Sequence, residues 1–246
     1  MENKKKNKKE GIRLNKYLAN AGIAARRKAD VLISQGNVKV NGKVVLEMGY
    51  KVQSGDKVTF KGKAIKPQGN IYVLLNKPKD YISTLSDEKG RKTVTDLIRL
   101  PGRERIYPVG RLDRNTTGLL LLTNDGELAQ ALSHPSKNVK KLYVVGLDKP
   151  VSAEHLSEIE NGIELEDGSV KPDEISNVRS GLKEEIGLLL HSGRNRVVRR
   201  IFEHFGYCVK KLDRVMYAGL TKKDLTRGKW RYLTPREIIR LKHFLQ

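Results

Sequence analysis

Residues 107–126 read YPVGRLDRNTTGLLLLTNDG. Polar residues lie between Gly110 and Gly118, and the apolar run Leu119–Thr123 follows them, which predicts a loop that enters a buried strand. Other apolar or alternating runs predict further strands, over Ile71–Leu75, Lys141–Val145 and Ile186–Leu190. Helical segments of irregular length separate these strands. We therefore predict an α+β domain over residues 70–246, with a mixed, mostly antiparallel sheet rather than a doubly wound one.

The predicted loop contains one carboxylate, Asp113, which lies between Arg111 and Arg114. A loop on the rigid support of a buried strand is where catalytic side chains are often found. Nearby cations favour the carboxylate form, which is the form a nucleophile needs. For an isolated Asp in a basic chain, however, an ordinary salt bridge is the better explanation. Asp113 alone therefore does not assign a function.

A smaller unit is predicted ahead of this domain, over residues 11–61. The predicted elements are, in chain order, a helix that ends at Gly22, a helix over Ala25–Ser34, a strand at Val38–Val40, a type I′ turn at Asn41-Gly42 and a returning strand at Lys43–Val45. Residues 62–69 contain glycines, a proline and lysines, and this composition predicts a linker. The chain is thus expected to hold two domains of unequal size.

The charge balance indicates the class of partner. Lys and Arg number 49 against 28 acidic residues, which gives a net charge of +21. Such an excess is expected where the partner is a polyanion. An anionic membrane is the competing explanation, but no apolar run approaches the ~20 residues that span a bilayer, and no lipidation motif is present. We therefore predict a nucleic-acid partner and no membrane.

Two basic segments fit this prediction. The first turn of the second predicted helix carries Arg26, Arg27 and Lys28, where cations oppose the helix dipole, so an outside anion is the expected reason for them. Residues 1–10 contain five lysines and are predicted to form a mobile basic arm that adds phosphate affinity. A solubilising tail explains the arm equally well.

The sequence offers no signal for a metal, a redox group or a nucleotide cofactor. The single cysteine, Cys208, rules out an intramolecular disulfide and is predicted to be a small apolar core residue between Tyr207 and Val209. The five histidines lack metal-ligand spacing, and phosphate-binding and dinucleotide-binding glycine motifs are absent. Since a signal peptide is absent too, we expect a cytoplasmic protein that uses no cofactor.

The N-terminal unit resembles a known RNA-binding module. Residues 13–18, RLNKYL, followed by Gly22, Arg26-Arg27 and the run VKVNG at 38–42, are similar to the S4-type RNA-binding domain. Ala25 stands where such domains often have a Ser that caps the second helix. The resemblance implies two helices and a hairpin that present a basic surface to structured RNA. The residues that it implies for RNA binding are Arg13, Lys16, Arg26, Arg27, Lys28 and Lys39.

The run from Gly110 to Gly126 closely resembles the active-site motif of the RsuA/RluB family of rRNA pseudouridine synthases. This resemblance implies that Asp113 is the catalytic aspartate and that Arg111 helps to hold the flipped-out base open. Two weaker motifs agree. Asn76-Lys77-Pro78, read as following the first strand, resembles the family's Lys-Pro element, with Asp80 where a Gly is usual. The strand KLYVV at 141–145 resembles its Lys-x-Tyr strand, which implies that Tyr143, otherwise a packing residue, contacts the uracil.

A further motif, GRNRVVRRIFE at residues 193–203, predicts an amphipathic helix. Its predicted buried stripe is Val198, Ile201, Phe202 and Phe205, and its other side is Arg196, Arg199, Arg200 and Glu203. In the family this element supplies the Arg that pairs with the catalytic carboxylate, and the matching residue is Arg199, whose guanidinium fork could bind a carboxylate bidentately. Arg194 and Arg196 are predicted to contact RNA. Val197 and Ser192 stand where Gln and Glu are common in the family.

The resemblance therefore implies the isomerisation of one uridine to pseudouridine in ribosomal RNA, with the large subunit favoured, by a monomer. Three routes remain open, because Asp113 could attack the uracil ring, attack the anomeric carbon or abstract a sugar proton. Two other classes also remain open. One is a non-catalytic ribosome-assembly factor, and the other is a different RNA-modifying or RNA-cleaving enzyme built around the same Asp.

Overall fold

The computed structural model describes residues 11–102, 105–178 and 184–246. The chain divides into two compact units, Met1–Asn70 with Leu100–Arg105, and Ile71–Arg99 with Ile106–Gln246. The predicted basic arm at residues 1–10 lies outside the described residues. The finer boundaries at residues 61, 62 and 69 stay predictions.

The first unit is a small α+β fold. Its elements are β1 (Ile12–Arg13), α1 (Leu14–Asn20), α2 (Arg26–Ser34), β2 (Val38–Val40), β3 (Lys43–Val44), β4 (Lys51–Val52), β5 (Val58–Phe60) and β6 (Lys63–Ala64). The strands form a sheet in the order β3-β2-β5-β6, and β1 pairs with β4. Leu14, Leu18 and Ile33 of the helices pack with Val38 and Val58 of the sheet in one core. The two predicted helices and the hairpin are confirmed.

The turn and the second helix of this unit follow from local chemistry. Asn41 and Gly42 both have positive φ, 50° and 81°, as a type I′ turn requires. The α2 helix starts after Ala25, whose side chain offers no oxygen to cap the first turn. The helix therefore begins without the side-chain cap that a Ser at this position would supply.

The second unit holds the larger sheet. Its elements are β7 (Tyr72–Lys77), a 3-10 turn (Val94–Leu97), β8 (Tyr107–Pro108), β9 (Thr117–Thr123), α3 (Gly126–Ser133), a 3-10 turn (Pro135–Lys137), β10 (Lys141–Leu147), α4 (Ala153–Asn161), β11 (Ile163–Leu165), β12 (Gly168–Val170), β13 (Glu174–Asn177), β14 (Glu185–Leu190), α5 (Val197–His204), β15 (Val209–Tyr217), β16 (Leu220–Thr221), β17 (Trp230–Tyr232), α6 (Pro235–Lys242) and a 3-10 turn (His243–Leu245). Within the described ranges, no helix is long and apolar enough to cross a membrane.

The strand order is β13-β14-β10-β15-β9-β7-β17, with β8 paired to β9 and β16 paired to β15. The pairing of β15 with β9 is parallel, and the other described pairings in this sheet are antiparallel. The prediction of a mixed, mostly antiparallel sheet is therefore confirmed. One boundary differs, because β7 continues through Asn76 and Lys77, which the sequence had placed after the strand.

The central strand β9 is buried along its whole length, and α3 and α6 pack against one of its faces. Leu119 and Leu121 share a core with Leu128 of α3 and Leu241 of α6. Gly118 is a structural requirement at the start of this strand. Its φ is +105°, and a Cβ there would collide with the backbone of Arg214 in β15. The two strands therefore meet at a point where only glycine fits.

The prediction for Cys208 is wrong, because this residue is exposed. It lies just before β15, where Tyr207 is buried, and its backbone N–H donates to Oδ1 of Asp148 at 2.8 Å. Successive residues of an extended segment point to opposite sides. Apolar neighbours in sequence therefore do not determine which side a residue faces.

Candidate active site

A cavity of about 730 Å³ lies in the second unit. Its wall is formed by the loop before β9, the start of α5, and the strands β10 and β15. The residues singled out in the sequence that line this cavity are Arg111, Asp113, Tyr143, Arg194, Arg196 and Arg199. The geometry thus brings together three separate motifs, although the chemical roles of these residues stay predictions.

The loop that carries Asp113 is held in place by hydrogen bonds from the side chain of Lys77. This lysine is fully buried, and its Nζ donates to the carbonyl oxygens of Pro78, Asp113, Arg114 and Thr116 at 2.8–3.1 Å. Burial lowers the pKa of Lys77 to about 8, against the opposing charges of Asp113 and Asp80. One side chain therefore holds the main chain on both sides of Asp113. In the sequence Lys77 had stood out only as part of a motif, and its signal was a lysine at the end of an apolar run.

A second tie holds the residue next to Asp113. The hydroxyl of Ser83 accepts the N–H of Leu112 at 3.1 Å and donates to its carbonyl oxygen at 2.9 Å. This pair of hydrogen bonds occupies both backbone groups of Leu112, as a neighbouring strand would. The position of Asp113 is therefore determined by its backbone and not by bonds to its own side chain.

Asp80 shows how the turn after β7 forms without the usual glycine. Its φ is +69°, a left-handed conformation that Asp tolerates better than most residues. Its N–H donates to the carbonyl of Arg114 at 3.0 Å, and its carboxylate pairs with the Arg114 side chain at 3.1 Å. Arg114, which the sequence had placed beside Asp113, is thus paired with a different carboxylate.

Two other guanidinium groups stand beside Asp113. Oδ2 of Asp113 lies 4.0 Å from Nε of Arg199 and 4.0 Å from Nη1 of Arg196, and its carboxylate makes no hydrogen bond within the described ranges. These distances are those of ion pairs without a hydrogen bond. The bidentate fork suggested for Arg199 is not formed, because its Nη1 donates to the carbonyl of Val209 at 2.9 Å. The Asp113 carboxylate, 41% exposed, therefore keeps its oxygens available to a ligand.

Arg199 differs from the solvated basic face that the helical pattern suggested, whereas Arg196 is exposed. The Arg199 side chain is only 12% exposed. Arg196 precedes α5 in a left-handed conformation, with φ +48°, and its Nη2 pairs with Glu203 at 3.2 Å. Such a backbone conformation costs on the order of 1 kcal/mol or more for a residue other than glycine and is often found at functional sites. Both side chains border the carboxylate.

Arg194 is engaged within the protein. Its Nη1 donates to the carbonyls of Asp167 and Gly168 at 2.9 Å, and its Nη2 donates to the carbonyl of Ser169. Arg200 binds the Asp167 carboxylate bidentately at 2.8 and 2.9 Å. Together the two arginines attach the β11–β12 hairpin to the start of α5. The predicted RNA contact of Arg194 would have to compete with these bonds.

Another part of the cavity wall pairs Tyr143 with Arg214. The two residues lie directly across from each other on β10 and β15. Arg214 is only 3% exposed, its Nε donates to the carbonyl of Leu119 at 2.8 Å, and its guanidinium lies 4.5 Å from the ring centre of Tyr217. Burial raises the pKa of Tyr217 to about 12, and the charge of Arg214 opposes this rise. The sequence had not singled out Arg214, although an arginine in phase with Leu212 was a signal.

The residues predicted to bind RNA in the first unit lie at its surface. Arg13, Arg26, Arg27, Lys28 and Lys39 are exposed, and Lys16 is half-buried. In the part of the chain that is described, the side chains of Arg26, Arg27 and Lys28 make no hydrogen bond or ion pair. These three cations of α2 are therefore available to an external anion.

Comparison with known proteins assigns both units. The RNA pseudouridylate synthase model matches residues 71–204, and the S4 domain model matches residues 12–58. The ribosomal large subunit pseudouridine synthase B of Bacillus subtilis (strain 168) is 47% identical over 234 residues, which cover 94% of this chain and 95% of that protein. An uncharacterized RNA pseudouridine synthase of Aquifex aeolicus (strain VF5) is 45% identical over 234 residues, 94% of this chain and 93% of that protein.

A solved structure agrees with these relatives. The crystal structure of a pseudouridylate synthase matches with a TM-score of 0.66 at 28% identity, covering 94% of this chain and 99% of that chain. The family that the motifs indicated is thus confirmed over both units. The chain belongs to the RNA pseudouridylate synthase family, carries an S4 domain, and is a pseudouridine synthase, an isomerase.

Proposed function

We propose that this enzyme converts one uridine of large-subunit ribosomal RNA to pseudouridine, with Asp113 as the reacting carboxylate. The observation that carries the proposal is the Asp113 carboxylate in the cavity wall, which forms ion pairs at 4.0 Å with Arg196 and Arg199 and no hydrogen bond within the described ranges. A purely RNA-binding assembly factor has no use for such a group. The choice of the large subunit is supported by the name of the Bacillus subtilis relative.

The proposed reaction begins with RNA binding. The S4 domain holds folded RNA mainly through phosphates, so affinity falls as salt rises. The synthase domain then extrudes one uridine at a cost of roughly a few kcal/mol of unstacking. Arg111, exposed at the cavity, fills the gap left in the stack, and Tyr143 packs against the extruded base. Arg199 keeps a positive charge beside Asp113 throughout.

The chemistry joins carbon 5 of uracil to the ribose carbon that nitrogen 1 leaves. Because the product is an isomer of the substrate, the reaction needs no oxidant, reductant or nucleotide energy. We propose that the enzyme acts as a monomer in the cytoplasm, on ribosomal RNA or an assembly intermediate. Light scattering of the purified protein tests the monomer, for which we expect a mass of 27.8 kDa.

The substrate is tested by mapping. Purified protein is incubated with large-subunit transcripts, small-subunit transcripts and pre-ribosomal particles, and pseudouridine is located by carbodiimide modification and primer extension. We expect one modified position in large-subunit RNA. Modification confined to small-subunit RNA would contradict the proposal that the substrate is large-subunit RNA. If no RNA is modified, the proposed activity is contradicted.

A further inference from the structure

The cavity wall contains buried polar atoms that no described residue satisfies. Thr116 Oγ1, Arg199 Nε and Arg214 Nη2 are each shielded from solvent without a hydrogen-bond partner in the described ranges, and all three residues line this cavity. Buried polar groups are nearly always hydrogen-bonded, so each such atom needs an explanation. Arg199 Nε faces the Asp113 carboxylate at 4.0 Å. Arg214 Nη2 has no comparable partner among the described residues.

The Arg214 guanidinium is held rigidly by its other contacts. Its Nε is bonded to Leu119, and one of its faces lies over the Tyr217 ring. Its backbone is clamped where β15 meets Gly118. The unused donors of this fixed Nη2 are suited to bond a ligand oxygen. Because the atom is shielded from solvent, a neighbouring group has to move aside to admit that oxygen.

The charge around Arg214 indicates what kind of ligand fits. No carboxylate within the described ranges forms an ion pair with Arg214. Lys141, a second cation in the wall, has its pKa lowered to about 8 by burial and then by the charge of Arg214. A buried cation without a counter-charge is unfavourable unless a ligand compensates it. The ligand expected here therefore carries hydrogen-bond acceptors and negative charge.

We propose that Arg214 donates from Nη2 to a carbonyl oxygen of the flipped uracil and stabilises the negative charge that the base carries during isomerisation. This role rests on the proposed function. A guanidinium only donates hydrogen bonds, and the two exocyclic oxygens of uracil only accept them. Tyr143, across from Arg214, is the residue proposed to contact the base, so the two groups would touch the same ring.

The charge arises on the base whichever route Asp113 takes. If the carboxylate bonds to carbon 6, the electron pair of the carbon 5–carbon 6 double bond moves towards oxygen 4. If the bond from nitrogen 1 to the ribose breaks, by attack on the sugar or loss of a sugar proton, its electron pair stays on uracil and spreads over nitrogen 1 and both oxygens. In each route the bond from nitrogen 1 to the ribose is broken before the bond from carbon 5 to the ribose forms. Any bond from Asp113 to uracil or ribose breaks with its electron pair returning to the carboxylate, and an abstracted sugar proton is given back. The carbon 5 proton leaves to water, and nitrogen 1 takes up one proton from water.

The test compares two variants and two bases. Arg214→Lys keeps a positive charge and an amine able to bond Leu119, whereas Arg214→Met keeps neither. Initial rates, from which kcat and KM follow, are measured on RNA with uridine and on RNA with 5-fluorouridine at the target, by chromatography of nuclease digests. We expect kcat on uridine to fall by about 10²-fold in Arg214→Lys and further in Arg214→Met. KM should change little, because phosphate contacts dominate affinity.

The comparison with 5-fluorouridine distinguishes a chemical role of Arg214 from a structural one. Fluorine at carbon 5 withdraws electrons and stabilises the anionic base, so the loss in each Arg214 variant should be smaller for disappearance of 5-fluorouridine than for uridine. Arg231→Lys is the matched control. It alters a half-buried arginine of the same sheet that binds Glu237 and does not line the cavity, so we expect a lower Tm and an unchanged kcat.

Specific results would overturn the role of Arg214. The role is refuted if Arg214→Lys has the kcat of the wild type. It is also refuted if kcat falls by the same factor on uridine and on 5-fluorouridine, because a purely structural role predicts equal losses. If neither variant folds, a structure of the wild-type enzyme bound to RNA tests the role. We expect Nη2 of Arg214 within about 3.2 Å of a uracil oxygen. A structure in which Arg214 contacts no atom of the base would refute the role. If the wild-type enzyme is inactive on every RNA, the proposed function and this role both fail. If the wild type is active, the variants test the role of Arg214 alone.

Discussion

The two units use their cations in different ways. In the first unit, Arg26, Arg27 and Lys28 are exposed and pair with no described residue. In the second unit, Arg200 and Arg231 each bind a carboxylate with two hydrogen bonds. A count of basic residues would treat all five alike. We infer from this difference that exposed cations without a partner are the ones that an outside phosphate can bind, whereas paired cations build the fold.

The helix starts of the two units differ in the same sense. The α2 helix has no side-chain cap and three cations in its first turn, an arrangement that opposes the helix dipole. The α6 helix has a capping box, in which the Thr234 side chain and the Glu237 carboxylate satisfy each other's backbone N–H groups. The first arrangement gives up stability and leaves positive charge for a ligand, while the second favours stability alone.

The largest expected effect is that of Asp113→Asn, which would show that this carboxylate is unlike the paired ones. The change preserves shape and removes the charge, so we expect single-turnover conversion to fall by about 10³-fold or more. RNA affinity should stay close to wild type. Tm should fall only slightly, because the carboxylate makes no hydrogen bond within the described ranges and its two ion pairs are 4.0 Å long and partly exposed. Filter binding and thermal melting check both. Full activity in this variant would refute the site.

The next effect concerns the unpaired cations. Replacing Arg26, Arg27 and Lys28 together by Gln should weaken RNA binding and reduce the slope of log K against log salt by about 0.7–0.9 for each phosphate that is no longer neutralised. Tm should stay unchanged or rise slightly, since the helix dipole is no longer opposed. Binding titrations at several salt concentrations measure the slope.

A paired cation supplies the control for that experiment. Arg200→Gln breaks the bidentate pair with Asp167 and should lower Tm while the salt slope is retained. If Arg200→Gln reduced the salt slope as much as the triple variant does, the distinction between paired and unpaired cations would fail.

Glu237→Gln tests a paired carboxylate through pH. Hydrogen bonds from Arg231 lower the pKa of Glu237 to about 2 from an ordinary 4.5. Because its pKa is depressed in the folded state, the pair stabilises the protein above pH 4.5, and this contribution is lost as pH falls towards 2. We expect the variant to lose about 1–2 kcal/mol of unfolding free energy at pH 7, with the gap from wild type closing in acid. Chemical denaturation at several pH values measures it, and a gap independent of pH would contradict this origin.

The smallest effect is a gain. Ala25→Ser should supply the missing cap of α2 and stabilise the first unit by roughly 0.5–1 kcal/mol, without a change in RNA affinity. Slower hydrogen exchange at the amides of Arg27 and Lys28 is the direct readout. Ala25→Gly, which adds no oxygen, serves as the control. Equal protection in the Ser and Gly variants would argue against a cap.

Those parts of the fold that depend on local patterns could be predicted from the sequence. The hairpin at Asn41-Gly42 and the strand entered after Asp113 were readable because turn chemistry and apolar runs act over a few residues. The order of the larger sheet was not readable, since β9 lies between β7 and β15, and β15 begins at Val209, 86 residues after β9 ends at Thr123. Such pairings depend on distant partners that no local pattern reveals.

The residues of the site likewise differ in whether a local sequence pattern reveals them. Asp113 was predicted from its motif, and its catalytic role stays a prediction. The structural roles of Lys77 and Arg214 depend on carbonyl groups 36 and 95 residues away. Each is a charged residue inside an apolar strand, which identifies it as unusual without identifying its partner. Arg194 shows the opposite case, because a cation in a basic motif makes hydrogen bonds that hold a hairpin, and its predicted RNA contact stays a prediction.

The exposed side chain of Cys208 has a practical consequence. It is the one cysteine of the chain, and it is accessible, so a maleimide dye or spin label would attach at one known position of the natural enzyme. No residue would have to be removed or introduced. Fluorescence anisotropy of that conjugate could follow the association with RNA in real time, on the same molecule whose isomerisation is assayed.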